Sequence, residues 1–224
     1  MKVCTDACIF GAWFAEKINS SSLVLDIGSG TGLLMMMLAQ KNNAPIHGIE
    51  IDFASFEQSK ENIQNSKWKN QLTIFPGDVR TFVFQAKYDF IISNPPFFEN
   101  DLQAYTNEAN VARHSKSLKL EELLQAVEQN LTSDGSFGIL LPYHRLQYFE
   151  ALASEKGFYP FYRLLVKQTP MHPFFRSIVH LSRYKNISVP QQEMTIQDGS
   201  GDYTPDFVDL LKDYYLYLPI TRNP

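Results

Sequence analysis

The chain has 224 residues, a length that one hydrophobic core can serve, since single cores extend to about 250 residues. Its 44% hydrophobic and 20% charged content is that of an ordinary globular protein and argues against disorder, and no apolar run reaches the ~18 residues of a membrane span. The net charge of −4 excludes a uniformly basic nucleic-acid coat. The first residues, MKVCTDACIF, lack the apolar stretch and cleavage site of a secretory signal. Cys4 and Cys8 fall short of the four ligands of a structural zinc site and read as reduced thiols. The expectation is a cytoplasmic protein of a single domain over 1–224, with no metal and no membrane partner.

Apolar spacing predicts a helix over 7–19, then a short β-like run over 23–27 that ends in glycines. A helix over 32–41, a strand over 46–51 and a helix over 53–65 follow. Strands are predicted over 72–75 and 88–93, an amphipathic helix over 118–130, a strand over 136–141 and a helix over 144–155. Two last strands, 159–167 and 177–184, are joined by a loop carrying Pro170 and Pro173. A helix over 206–214 closes the chain. Strands alternating with helices imply an α/β, Rossmann-like fold with a mostly parallel sheet and helices on both faces. The last two strands lack a helix between them and should pair as a hairpin, which makes one strand antiparallel.

The segment Asp26-Ile27-Gly28-Ser29-Gly30-Thr31-Gly32 follows a strand and opens a helix. Its GxGxG spacing is neither the GxGxxG of dinucleotide folds nor a phosphate-binding loop, which would carry Lys-Ser/Thr. Glycines let backbone approach a ligand closely, and the carboxylate of Asp26 ahead of them suits a cation better than a pyrophosphate. S-adenosylmethionine (AdoMet), with its sulfonium and ammonium, fits that polarity, and Gly28, Ser29, Gly30 and Gly32 are its expected cradle. The next strand ends at Glu50, about 20 residues on, where a carboxylate can accept both ribose hydroxyls. Ile51 is placed to pack on the adenine, while Asp52 reads as a helix cap. The third strand runs into Gly77-Asp78-Val79, where Asp78 can accept the adenine amino group. Met35 to Met37 read as core filling.

The most specific signal is Ser93-Asn94-Pro95-Pro96-Phe97 at the end of a strand. Pro95 drives Asn94 into an extended shape, and Pro95 with Pro96 stiffens the loop. An exocyclic aromatic amine is a poor nucleophile because its lone pair is delocalised into the ring. Acceptors on its hydrogens, the Asn94 side-chain oxygen and the Pro95 carbonyl, localise that lone pair for attack on a methyl group. Catalysis of this kind is positioning and electrostatics. Phe97 is placed to stack on a base taken out of its helix.

With these motifs the chain resembles the class I AdoMet-dependent methyltransferases that carry NPP[F/Y] and methylate amino groups. More narrowly it resembles the bacterial tRNA(Val) adenine-N6 methyltransferases, through the residues of MKVCTD, Gly11-Ala12-Trp13, LDIGSGTGLL, GIEID, SNPPFF, Arg113-His114 and the span from Tyr203 to Leu216. The resemblance implies a seven-stranded sheet with the last strand antiparallel. It also implies that Lys2, Thr5 and Asp6 border the methionine end of AdoMet, and that tRNA is the partner. Two departures stand out. Relatives carry a further segment ahead of MKV, and Cys4 stands where they commonly have glycine.

For the substrate, Arg113, His114 and Lys116 follow the loop closely enough to lie at its mouth, with His114 read as a phosphate contact ahead of a general base. Between Glu155 and Glu193 no acidic residue occurs, while Lys156, Arg163, Lys167, Arg176, Arg183 and Lys185 do. Within that stretch Met171-His172-Pro173-Phe174-Phe175-Arg176 interleaves cations with aromatics, as single-strand binders do; Phe174 and Phe175 fit a core role equally. Two other readings of the same loop stay open. One is glutamine-N5 methylation of a protein or another nucleic-acid amino-methylation (guanine N2, DNA adenine). The other is a non-catalytic AdoMet- or RNA-binding protein.

Overall fold

Short runs of β-branched and aliphatic residues form the central strands because they are buried on both faces, as parallel strands covered by helices are. In the computed structural model, which describes residues 4–96 and 118–218, β1 (Val24–Ile27), β2 (Ile46–Glu50), β3 (Leu72–Pro76) and β4 (Tyr88–Ser93) come first. They are followed by β5 (Leu131–Pro142), β6 (Tyr159–Lys167), β7 (Phe174–Ser182) and β8 (Gln191–Thr195). The helices are α1 (Thr5–Ala15), α2 (Leu33–Lys41), α3 (Phe53–Gln64), α4 (Leu120–Asn130), α5 (Leu146–Glu155) and α6 (Pro205–Leu211).

One sheet holds all eight strands in the order β3-β2-β1-β4-β5-β7-β6-β8. β7 alone runs antiparallel, hydrogen-bonded to β5 on one side and to β6 on the other. The predicted hairpin is therefore present, as β6 and β7. The antiparallel strand expected at the end of the sheet is β7, and an eighth strand beyond it corrects the implied count of seven to eight. β8 joins the edge beside β6. Its sequence, Gln-Gln-Glu-Met-Thr, buries only Met194, so it carries no apolar alternation that a sequence reading can follow.

The two faces of the sheet are packed separately. Val24, Ile46, Phe90, Ile92, Leu140 and Ile178 meet α1, α2, Ile63 of α3 and Phe207 and Leu211 of α6. Leu25, Ile27, Ile49, Ile91, Ile139 and Val179 meet α4 and α5. α1 is buried from Ala7 to Ala15, as expected of a helix that is apolar all round. Its Phe14 ring lies on the bare backbone of Gly138 in β5, where an added Cβ would fall 2.5 Å from the ring. That contact seats α1 close to the sheet, with its N-terminus at the same end as the carboxyl ends of the parallel strands.

Candidate active site

Register places the motifs together. Ile27 of β1 pairs with Ile49 of β2 and with Ser93 of β4, and Ile49 pairs with Phe75 of β3. The segments beginning at Gly28, Glu50, Asn94 and Gly77 therefore leave the sheet side by side. β1 is also where the strand order reverses, the position at which open α/β sheets bind ligands. A cavity of about 430 Å³ opens there, within the size range of small-molecule sites.

The glycine turn is shaped by φ values only glycine takes without strain: Gly30 has φ 56° and Gly32 has φ 84°. At Gly32 an added Cβ would also fall 2.7 Å from Ser59 Oγ of α3. Glu50 fixes the turn from the neighbouring strand. Its Oε2 accepts from the Gly30 amide at 2.8 Å and its Oε1 accepts from the Asp52 amide at 2.8 Å. The carboxylate is 8% exposed and lines the cavity with a lone pair still open on each oxygen. Asp52 caps α3 through the Ser55 amide at 2.9 Å, as its place in the sequence suggests. Ile51, half exposed, lines the cavity between Glu50 and Ser55.

Two ion pairs frame the opposite walls. Asp78 is held by Arg80, whose Nη2 and Nε donate at 2.6 and 2.9 Å. The guanidinium keeps the Asp78 carboxyl below the usual carboxylate range and reaches on to Glu122 of α4 at 3.3 Å. Asp6, in the first turn of α1, accepts from Arg176 Nε of β7 at 2.7 Å. Arg80 and Arg176 thus neutralise Asp78 and Asp6. Glu50 is the one lining carboxylate with no ion-pair partner among the described residues, so the wall carries a net negative charge.

Ser93 Oγ donates to the Ile27 carbonyl at 2.9 Å, pinning the strand that carries Asn94 to the one that opens the glycine turn. Asn94, Pro95 and Pro96 line the cavity beside Ile27, Gly28 and Asp6. Asp26 lies behind the turn. It is fully buried, neither carboxylate oxygen has a hydrogen-bond partner in the described structure, and burial, with Glu50 nearby, pushes its carboxyl up to about 8.

Of the residues expected from the sequence, the cavity brings together Asp6, Gly28, Ser29, Gly30, Glu50, Ile51, Asp78, Val79, Asn94, Pro95, Pro96 and Arg176. Thr5, Asp26 and Gly32 stand just outside its lining. Lys2, Phe97, Arg113, His114 and Lys116 lie outside the described residues. Arg80, Ser93 and Cys4 also line the cavity and were given no role from sequence, because a salt bridge two residues apart and a strand-end serine have no signature of their own.

The basic stretch is divided by the topology. Lys167, at the end of β6, and Arg176, near the start of β7, lie at the cavity end of the sheet. Arg183 and Lys185 follow the end of β7 at the far end, stacked over Phe158 and Tyr159. Arg163 is paired with Glu150 at 2.6 Å.

The donor set fits AdoMet: a carboxylate beside a glycine turn, open backbone at the turn, an apolar wall of Ile51 and Val79, and a net negative lining for a cationic ligand. Among the described residues no group of three His, Cys, Asp or Glu side chains is arranged to hold a metal.

Residues 11–159 match the methyltransferase small domain family. The chain is similar to the tRNA1(Val) (adenine(37)-N6)-methyltransferase of Dyadobacter fermentans, 39% identical over 224 residues that cover 96% of this chain and 91% of that protein. The enzyme of the same name from Trichodesmium erythraeum is 35% identical over 96% of this chain and 91% of that protein. Among solved structures, a predicted O-methyltransferase from Agrobacterium tumefaciens superposes with a TM-score of 0.71 at 15% identity, covering 94% of this chain and 98% of that one. A glycopeptide N-methyltransferase solved with AdoMet superposes with a TM-score of 0.60 at 11% identity, over 80% of this chain and 95% of that one. At these identities the structures speak for the fold alone.

Proposed function

The chain belongs to the methyltransferase small domain family and is an AdoMet-dependent methyltransferase, and from that premise we propose that it methylates the exocyclic N6 amino group of an adenine in tRNA, beside the anticodon of tRNA(Val). The observation that carries this reading is Asn94-Pro95-Pro96 on the wall of a cavity whose other walls are the glycine turn and Glu50. The relatives that share almost the whole chain are named for that reaction.

Bound AdoMet supplies an electrophilic methyl group on a sulfonium. Glu50 would hold the ribose hydroxyls with the lone pairs left over from Gly30 and Asp52. Ile51 and Val79 would pack against the adenine, and the Asp78 carboxylate, set by Arg80, would accept from its amino group. Asp6, held in place by Arg176, would border the methionine end. On the substrate side Asn94 Oδ1 and the Pro95 carbonyl accept the two hydrogens of the target amine and turn its lone pair toward the methyl group. Ser93 keeps that pair of acceptors in register with the cofactor side. No strong base is needed before attack, since the methylated ammonium product is acidic enough to lose its proton to water. The reaction is thus driven by placement and by acceptors aimed where positive charge develops. A tRNA substrate and the absence of any helix among the described residues long and apolar enough to cross a membrane go with a cytoplasmic place of work.

The test is transfer of labelled methyl from AdoMet to small RNA from a bacterium lacking this enzyme, with nucleoside analysis. N6-methyladenosine in a tRNA is expected. Label in protein, or in guanine, would replace this reading.

A further inference from the structure

Pro142 ends β5 directly opposite Arg176 of β7, and Arg176 lines the cavity. The next residue after Pro142 is Tyr143, and two residues before Arg176 is Phe174. Their rings meet at 5.3 Å between centroids, inclined by 48°. Tyr143 is 39% exposed. One face of Phe174 is already covered: Lys167 Nζ sits 4.5 Å over it and is itself held by Glu193 at 3.3 Å. Phe174 therefore backs Tyr143 and stiffens it, while Tyr143 offers ring surface to solvent. The strand register fixes the location. β4 and β5 run parallel with Ser93 opposite Ile139, so the Asn94-Pro95-Pro96 segment leaves the sheet beside β5, whose end carries Tyr143. Tyr143 thus follows the strand adjacent to the one that leads into Asn94, with exposed His144 after it and exposed Met171 and His172 in the β6–β7 turn.

We infer that Tyr143, backed by Phe174, is a stacking platform for an unpaired base of the RNA loop next to the target nucleotide. The inference rests on the tRNA reading above and names a docking surface for it. Sequence-specific RNA recognition works on single-stranded loops whose bases are splayed onto aromatic side chains, and a loop with its target base in the cavity must carry its neighbouring base over the rim. A rigid aromatic at that rim accepts any base by its π-face.

The experiment compares wild type with Tyr143→Ala, Tyr143→Leu and Tyr143→Phe, measuring methyl transfer to tRNA(Val) transcript, AdoMet affinity and thermal midpoint. The expected result is a KM for tRNA raised about tenfold in the Ala and Leu variants, a central value for loss of one base–aromatic stack. The Phe variant should stay within about twofold of wild type, and AdoMet affinity should be unchanged in all three. Tyr143→Leu keeps the apolar contact with Phe174 and guards against simple loss of fold in the Ala variant. An unchanged KM in both, or a parallel loss of AdoMet affinity, overturns the platform while leaving the tRNA reading intact. Failure of the wild type to methylate any tRNA overturns both.

Discussion

Ser93 Oγ donates a 2.9 Å hydrogen bond to the carbonyl of Ile27, so that the strand leading into Asn94 and the strand leading into the glycine turn are fixed to each other by a buried side chain. Both partners are buried, and β1 and β4 are already paired through their backbones at this row. The bond therefore governs the exit angle of the loop more than the cohesion of the sheet.

Replacing Ser93 with Ala should lower kcat about tenfold and leave AdoMet affinity within about threefold, because a misplacement well under 1 Å is enough to disturb an attack geometry. The same variant should cost roughly 1 kcal/mol of stability, the net worth of a typical hydrogen bond. Steady-state kinetics with a cofactor titration and a denaturant melt check both halves. A fall in stability with kcat intact would limit Ser93 to a structural role.

Asp26 predicts a pH dependence with a definite sign. Its folded-state carboxyl is raised to about 8 by burial, whereas an unfolded Asp titrates near 3.9. Between about pH 4 and 8 the unfolded chain has released this proton and the folded one has kept it, so this group lowers stability as pH rises through that window. Asp26→Asn removes the effect. The cofactor-free variant should melt a few °C above wild type at pH 8, with the gap closing toward pH 4, since roughly 2–4 °C accompanies each kcal/mol in a chain of this size. Thermal melts of both proteins across that range decide the matter; a constant gap would remove Asp26 as its source.

Gly138 is a packing prediction. An added Cβ would stand 2.5 Å from Cζ and 2.7 Å from Cε2 of Phe14, a ring enclosed by Phe10, Trp13, Phe90 and His180. With no free direction for the ring to move, Gly138→Ala should destabilise by about 1–3 kcal/mol, the usual cost of overpacking a core. Gly138→Ala with Phe14→Leu should recover part of the loss, because the smaller side chain gives the Cβ room. Denaturant unfolding of the single and double variants measures this; additive losses would contradict it.

The strands that carry the site were legible because each is a short apolar run ending in a residue with a distinct chemical signature: glycines after Ile27, Glu50, Asp78 and Asn94. The predicted bounds of β4 and β6 coincide with those observed. Elsewhere local composition misled. Thr132 to Gly135 looks like a turn, yet β5 begins at Leu131 and passes through it with a register shift against β4. The final strand was expected from Ser177, with Phe174 and Phe175 open between a binding and a core role, yet Phe174 and Arg176 already pair with β6, and Arg176 also with β5. Only tertiary neighbours decide such cases. In the site itself, single residues with a motif were found and pairs without one were not. Sequence spacing brings neither Asp6 and Arg176 together across 170 positions nor Arg80 onto Asp78 and Glu122.

The central claim is that Asn94 acts on the substrate amine, with the cofactor held by other residues. The measurement that tests it most directly is methyl transfer by Asn94→Ala to tRNA(Val), with AdoMet affinity determined on the same protein by calorimetry. Turnover reduced by about a thousandfold, as for loss of one preorganised polar group aimed at developing charge, with AdoMet affinity within about threefold of wild type, is the predicted result. Loss of turnover and AdoMet affinity together would make Asn94 a cofactor-binding residue and contradict the account.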